Sequence, residues 1–185
     1  MSKVVASFFM SLDGVVESPQ SWHFPYMDAE MGAVVGQSIA ASGGFLLGRR
    51  TYEEWAGFWP HQDPAENPMA AAINGLAKYV VSRTLEDPSW ENTTVLRGGD
   101  GLAAEVGRLK EQPGRNLSVA GSATLVRSLI IEGLLDELDL LVHPVLVGTG
   151  GRLFEADGPP IGLELGSART FGNGVQHLTY RPAAA

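Results

Sequence analysis

The chain contains no cysteine. That excludes a disulfide framework, a thiolate nucleophile, and any zinc or iron–sulfur site held by cysteine. Basic residues are also scarce: 13 Lys and Arg stand against 21 Asp and Glu, a formal net charge of −8. A nucleic-acid backbone selects a basic face, so no nucleic-acid partner is expected. Long apolar runs are missing too. The longest uncharged stretch, 31–48, is interrupted by Gln37, Ser38, Ser42 and several glycines, so no membrane span is expected. Residues 4–10 follow Lys3 as a short apolar stretch, but no small-x-small cleavage site follows and Asp13 ends it. It reads as a first core strand, and a cytoplasmic protein is the expectation. The histidines His23, His61, His143 and His177 have no H-x-x-x-H spacing, so no metal is expected. There is no G-x-S-x-G elbow of a serine hydrolase and no Walker A lysine pattern.

What the chain has in excess is glycine, 23 of 185 residues against a usual share of about 7%. The length suits one domain over 1–185. Short β-type runs alternate with helical patterns, which signals an α/β fold. Strands are expected at 3–10, 45–47, 78–82, 93–96, 117–120 and 137–147. Two more are expected within 164–181, turning at Gly172-Asn173-Gly174. Helices are expected from Asp28 to about Ala41, ended by Gly43-Gly44, and then through Trp55, over 69–76, over 102–110, and after Ser122 until Gly133.

Three strands end in glycine and open onto helices: at Gly48, at Arg97-Gly98-Gly99, and at Gly121-Ser122. A helix N-terminus offers unpaired N–H groups and the positive end of a dipole, and glycine lets an anion come close. Parallel sheets bind ligands at the carboxyl ends of their strands. Tight turns alone would explain any one of these glycines. Three together point to a phosphate-rich ligand such as a dinucleotide. Neither Gly99-Asp100-Gly101 nor Gly148-Thr149-Gly150 extends to the Rossmann fingerprint, so the site is of another kind. Arg49, Arg50, Arg83 and Arg97 fall at these strand ends in an acidic chain. Solvated surface positions would account for each singly. Guanidinium groups fit phosphate bidentately, and the placement suggests a 2′-phosphate pocket, hence NADP over NAD.

These segments resemble the dihydrofolate reductase-like superfamily, and more closely the stand-alone relatives of the riboflavin-biosynthesis reductase domain. The resemblance covers nearly the whole chain. It rests on Ser11-Leu12-Asp13-Gly14, on Gly48-Arg49-Arg50-Thr51, and on the strand ending in Ser82-Arg83. It rests also on Gly121-Ser122-Ala123-Thr124 and on the run from Asp136 to Phe154. It implies a three-layer fold: a mixed, mostly parallel sheet of about eight strands flanked by helices, with a C-terminal antiparallel hairpin. It implies NADPH as cofactor. Gly48, Arg49, Arg50 and Thr51 would meet its phosphates, and Ser82, Arg83 and Arg97, beside Gly98, the 2′-phosphate. Gly121, Ser122, Ala123 and Thr124 would hold the pyrophosphate. A homodimer is implied as well.

Hydride transfer belongs to the cofactor, and the protein must orient it and relay a proton. Asp13 and Asp28 are the candidate catalytic carboxylates, with Glu30 behind them. Asp28 is equally suited to cap a helix and Asp13 to a turn. His23 is a proton-relay candidate, and His143 reads as a structural histidine in a core strand. Trp22, Phe24, Tyr52 and Trp55, with Trp59, could line a pocket for a planar substrate or belong to the core. The segment Asn74-Gly75-Leu76-Ala77 lacks the arginine with which folate reductases hold their substrate. With no cysteine in the sequence, the cysteine-ligated zinc deaminase of bifunctional riboflavin proteins is not expected. The expected function is NADPH-dependent reduction of a small heterocycle, pterin- or pyrimidine-like. The alternatives are folate reduction itself, or a non-catalytic nucleotide- or drug-binding protein on the same scaffold.

Overall fold

A computed structural model describes residues 2–112, 114–154 and 160–183. Its strands are β1 (Val4–Ser11), β2 (Ser42–Gly48), β3 (Ala77–Val81), β4 (Thr93–Leu96), β5 (Asn116–Ala120), β6 (Glu137–His143), β7 (Leu163–Thr170) and β8 (Gln176–Pro182). Between them lie helices α1 (Ala29–Ala41), α2 (Arg49–Ala56), α3 (Pro68–Gly75), α4 (Leu102–Glu111) and α5 (Ala123–Ile131). The strands form one sheet in the order β4-β3-β2-β5-β1-β6-β8-β7. The first six run parallel, while β8 is antiparallel to both of its neighbours. This is the mixed, mostly parallel sheet and C-terminal hairpin expected above.

Alternation along the strands divides the core in two. Val4, Ala6 and Phe8 of β1 join Leu46, Val119, Leu138 and Leu140 against α4 and α5 through Leu102, Val106, Val126 and Leu129. The intervening residues face the other helical layer. Phe45, Leu47 and Val80 pack on Tyr52 and Ile73, and Phe9 and Leu141 pack on Met31 of α1. Helices on both faces make three layers, as a parallel sheet buried on both sides requires.

Two expectations fail here. Gly43 and Gly44 do not end α1; they lie inside β2. The helix does end at Ala41, but its C-cap is Ser42, whose hydroxyl donates to Ser38 O and approaches Ser118 Oγ. The glycines instead allow close packing: a Cβ on Gly44 would stand 3.0 Å from Ala77 O. The long strand expected over 137–147 ends at His143, because Pro144 has no N–H to continue the ladder.

Lys78 is fully buried at the start of β3. Its ammonium donates to Asn74 O (2.5 Å) in the last turn of α3 and to Glu91 O (3.1 Å), and lies 4.1 Å from the Trp90 ring centroid. A cation suits a helix C-terminus. Burial nevertheless lowers its pKa from 10.5 to about 8. Between those values the unfolded chain holds more protons than the folded one, so this group makes stability rise with pH there. Urea melts of the wild type should show that rise across the window, and Lys78→Met should remove it. An equal rise in both proteins would contradict this assignment.

Candidate functional site

Because six strands run parallel, their carboxyl ends share one edge. In spatial order that edge carries Arg97-Gly98-Gly99 after β4, Ser82-Arg83 after β3, and Gly48 to Thr51 after β2. Then come Gly121-Ser122 after β5, the loop from Ser11 after β1, and His143 at the end of β6. The sheet order thus brings together residues far apart in the sequence.

The β2 and β5 ends are latched to each other. The Gly48 N–H donates to Ser122 Oγ at 2.8 Å, and the hydroxyls of Thr51 and Ser122 are 2.9 Å apart. Thr51 and Ser122 are both buried. Gly121 has φ +66°, and a Cβ there would be 2.9 Å from Thr51 Cγ2. Serine is a good N-cap, yet Ser122 gives its side chain to this latch, and α5 has no side-chain cap. Neither does α2, which starts at Gly48. Two helix N-termini therefore lie side by side with their first-turn N–H groups uncapped by side chains, as an anionic diphosphate requires. Ala123 and Thr124 form the first turn of α5, and the Thr124 hydroxyl accepts from Arg127 at 3.1 Å.

The β3 and β4 ends form a second corner. Ser82 Oγ accepts from the N–H groups of Thr84 (3.2 Å) and Leu85 (3.0 Å), and Arg97 donates to Leu85 O at 3.2 Å. Those bonds fix the turn that presents Arg83, which is exposed. Gly98 packs its backbone on β3: a Cβ would be 3.1 Å from Val81 Cγ1. Arg50 is exposed at the start of α2, while Arg49 is paired within α2 to Glu53 at 2.8 Å.

At the β1 and β6 ends the carboxylates are engaged. Asp13 accepts from the Ser11 hydroxyl (2.6 Å), Gly148 N (2.8 Å) and Val147 N (3.1 Å), and Arg152 donates to its backbone carbonyl at 3.0 Å. The Ser11 hydroxyl, followed by the two backbone N–H groups, holds its pKa down to about 2. Glu17 accepts from Gly151 N at 2.5 Å. The glycines after β6 thus meet two carboxylates of the β1 loop, a role that the sequence left open. Asp28 caps α1, its Oδ1 accepting from Met31 N at 2.9 Å, and Glu30 is bound to Arg169 and Gly172 N. Tyr52 lies in the second core, 3% exposed, its hydroxyl accepting from Trp90 N. Trp55 packs edge-on against Phe45 there. Trp22 and Phe24 do reach the β1 and β6 ends, Trp22 buried and Phe24 62% exposed.

Beneath Trp22 lies a ring cluster. His23 stacks on Phe9 at 4.5 Å between centroids, and Phe24 covers it at 4.3 Å. His143 is edge-on to Phe9, Trp22, His23 and Tyr26. The sequence reading of His143 as a satisfied structural residue is half correct. It is fully buried and its Nδ1 bonds Leu141 O at 2.8 Å, but among the described residues neither its Nε2 nor His23 Nδ1 meets a hydrogen-bond partner. Each unmet buried polar atom costs about 1–3 kcal/mol, and no residue pattern in the sequence announces such an orphan.

Burial lowers the pKa of both histidines, and the charge of His143 adds to the effect on His23. For His143 burial outweighs the opposing carbonyls of Leu141 and Met10. Below the ordinary value of 6.5 the unfolded chain therefore takes up protons that the folded chain resists. Stability should fall as pH drops through that value, and His143→Phe should flatten the fall when urea midpoints are compared between about pH 5 and 8. A slope unchanged by the substitution would contradict it.

A separate cavity of about 250 Å³ lies under the C-terminal half of α1, toward the other ends of the strands, lined by Gln37, Ser118, Glu137, Asp139 and His177 among others. Among the described residues no helix is long and apolar enough to cross a membrane, and no cluster of His, Asp and Glu is placed to hold a metal ion.

A family model for the RibD C-terminal domain matches residues 2–177. The uncharacterized protein YyaP of Bacillus subtilis (strain 168) is 30% identical over 183 residues, covering 96% of this chain and 94% of that protein. A crystal structure from Shewanella sp. PV-4, of a protein ascribed to riboflavin biosynthesis, superposes with TM-score 0.73 at 18% identity, over 98% of this chain and 99% of the other. A pyrimidine reductase-like protein from Corynebacterium diphtheriae superposes with TM-score 0.67 at 13% identity, over 100% and 93%. At those identities the two structures show a shared fold.

Proposed function

The chain belongs to the RibD C-terminal domain family, and from that premise we propose that it is an NADPH-dependent reductase of a planar, pterin- or pyrimidine-like heterocycle, similar to the reductases of the riboflavin pathway. The latch joining Gly48, Thr51, Gly121 and Ser122 carries this reading, because it ties together two helix N-termini that no side chain caps. NADPH, when bound, supplies the hydride. The diphosphate is received by the first turns of α2 and α5, and the 2′-phosphate by Arg83 with Arg97 beside it. Asp13 is a positioning residue that ties the β1 loop to the segment after β6. Proton delivery falls to Asp28, whose Oδ2 lies outside the cap bond.

A non-catalytic nucleotide-binding protein is the second reading. One observation favours it: both candidate carboxylates have structural work, Asp13 held ionised by the hydrogen bonds it accepts and Asp28 capping a helix through Oδ1. Folate reduction itself has less support, because Lys78, the one cation near the position of the missing arginine, is buried against α3. The test is titration with NADPH and NADH at low salt, followed by NADPH oxidation with a panel of pterins, pyrimidines and dihydrofolate. Binding of NADPH with turnover of a heterocycle supports the reductase, and binding without any turnover supports the second reading. Absence of binding by either nucleotide contradicts both. The same proposal includes a homodimer, which sedimentation of the full chain would show.

A further inference from the structure

Among the described residues, three buried side-chain atoms lack a hydrogen-bond partner: His23 Nδ1, His143 Nε2 and Glu105 Oε2. The first two belong to the ring cluster. The third is on α4, on the opposite face of the sheet from α1. Buried polar atoms are paired in the great majority of cases, so an unpaired carboxylate oxygen calls for an explanation.

Helix α4 buries a stripe made by Leu102 and Val106, and Leu109 packs against the same core. Glu105 follows Leu102 by three residues and stands on the flank of that stripe. A carboxylate in the first turn suits the helix dipole, which accounts for the residue type. It does not account for the burial. The dipole favours a carboxylate on free N–H groups or in water, and Glu105 Oε2 is shut from water and meets no donor. Arg108 does not answer it either. That side chain is exposed, its Nε donates to Ala104 O at 3.2 Å, and no ion pair joins it to Glu105.

Glu105 lines a pocket of about 250 Å³ between α4 and β4, the last strand on its side of the sheet. Tyr79 of β3, Leu96 of β4 and Leu109 of α4 supply apolar walls, and the exposed Thr94 and Arg108 form the rim. Apolar walls with a few placed polar groups are the usual build of a small-molecule site.

We propose that this pocket binds a small organic cation, an ammonium or amidinium group on a compact apolar body. The head is held by the Glu105 carboxylate and the body lies against Tyr79, Leu96 and Leu109. A carboxylate oxygen only accepts, so the ligand must bring the donor. A charged donor is preferred to a neutral one, because charge-assisted hydrogen bonds are roughly twice as strong. An anion on the same body is repelled. The site lies apart from the cofactor edge and from the ring cluster, and the inference does not rest on the reductase reading.

Benzylamine, benzyl alcohol and benzoate share a ring and differ in the head group, so they are the probes. Calorimetric titration of the full chain at neutral pH and low salt, without nucleotide, should show benzylamine binding. Benzyl alcohol should be at least about tenfold weaker, and benzoate should not bind. Glu105→Gln keeps the shape and removes the charge, and should bring benzylamine to the level of benzyl alcohol. Thr94→Trp fills the pocket from an exposed strand position that suits an aromatic ring, and should abolish binding of both. The inference is overturned if benzylamine does not bind, or if benzyl alcohol or benzoate binds as well as it does. It is overturned equally if either variant binds benzylamine as the wild type does. Titration of the wild type with NADPH is read separately. A chain that binds NADPH but not benzylamine keeps the reductase reading and loses this one; the converse result does the reverse.

Discussion

Gly121→Val should remove most NADPH binding from a chain that still folds. Two effects combine at this position. The residue has φ +66°, where a β-branched side chain is strained, and its new Cβ would lie 2.9 Å from Cγ2 of the buried Thr51, too close without a shift. Such strain costs about 1–3 kcal/mol, against a usual domain stability of about 5–15 kcal/mol. Relief is available only by moving the β5 turn away from α2. That breaks the bonds of Ser122 to Gly48 and Thr51 and separates the two helix N-termini. A loss of about 1.4 kcal/mol is already tenfold in affinity, and losing one of two converging sets of N–H donors should exceed that. Gly133→Val is the matched control: its φ is +67°, but nothing lies within 4 Å of a Cβ there. It should lower the melting temperature by the backbone strain alone, less than Gly121→Val does, and leave NADPH affinity unchanged. If Gly121→Val binds NADPH as the wild type does, the latch is not the diphosphate cradle.

Arg83→Ala should weaken NADPH by at least about tenfold and leave NADH within about threefold, since a charge-assisted hydrogen bond is worth about 1.5–3 kcal/mol. Arg83 is exposed, on a turn whose frame is set by its neighbours Ser82 and Arg97 and not by its own side chain. Its removal should therefore subtract a phosphate ligand without moving the backbone. Arg97→Ala is different, because it also frees Leu85 O from its donor. That variant should weaken both nucleotides, NADPH more. Equal losses for NADPH and NADH in Arg83→Ala would remove the 2′-phosphate from this corner.

The strand framework was legible in the sequence because local signals were unambiguous. Thr93–Leu96 is observed with the bounds expected, and the terminal hairpin turns at 172–174 as the Gly-Asn-Gly pattern requires. Residues at strand ends were likewise placed on one edge, since a parallel sheet leaves no other arrangement. What the sequence could not show were the interactions between segments. Gly43-Gly44 has the composition of a helix stop, but the approach of Ala77 and Tyr79 that it permits comes from another strand. For Asp13 the sequence offered a catalytic carboxylate or a turn residue, because the N–H groups that occupy it belong to Val147 and Gly148, 134 and 135 residues later. Tyr52 and Trp55 have the character of pocket aromatics, and only the position of β3 and Trp90 assigns them to the core. The diversion of Ser122 from capping is of the same kind: its local context says N-cap, while Gly48 takes the side chain from 74 residues away.

The most direct test of the cofactor edge is a crystal structure of the chain grown with NADPH. The account predicts the diphosphate between the first turns of α2 and α5, the 2′-phosphate within hydrogen-bond distance of Arg83, and the nicotinamide toward the ends of β1 and β6. A dinucleotide bound elsewhere, for example in the cavity under α1 lined by Asp139 and His177, or no bound nucleotide at saturating concentration, would contradict it.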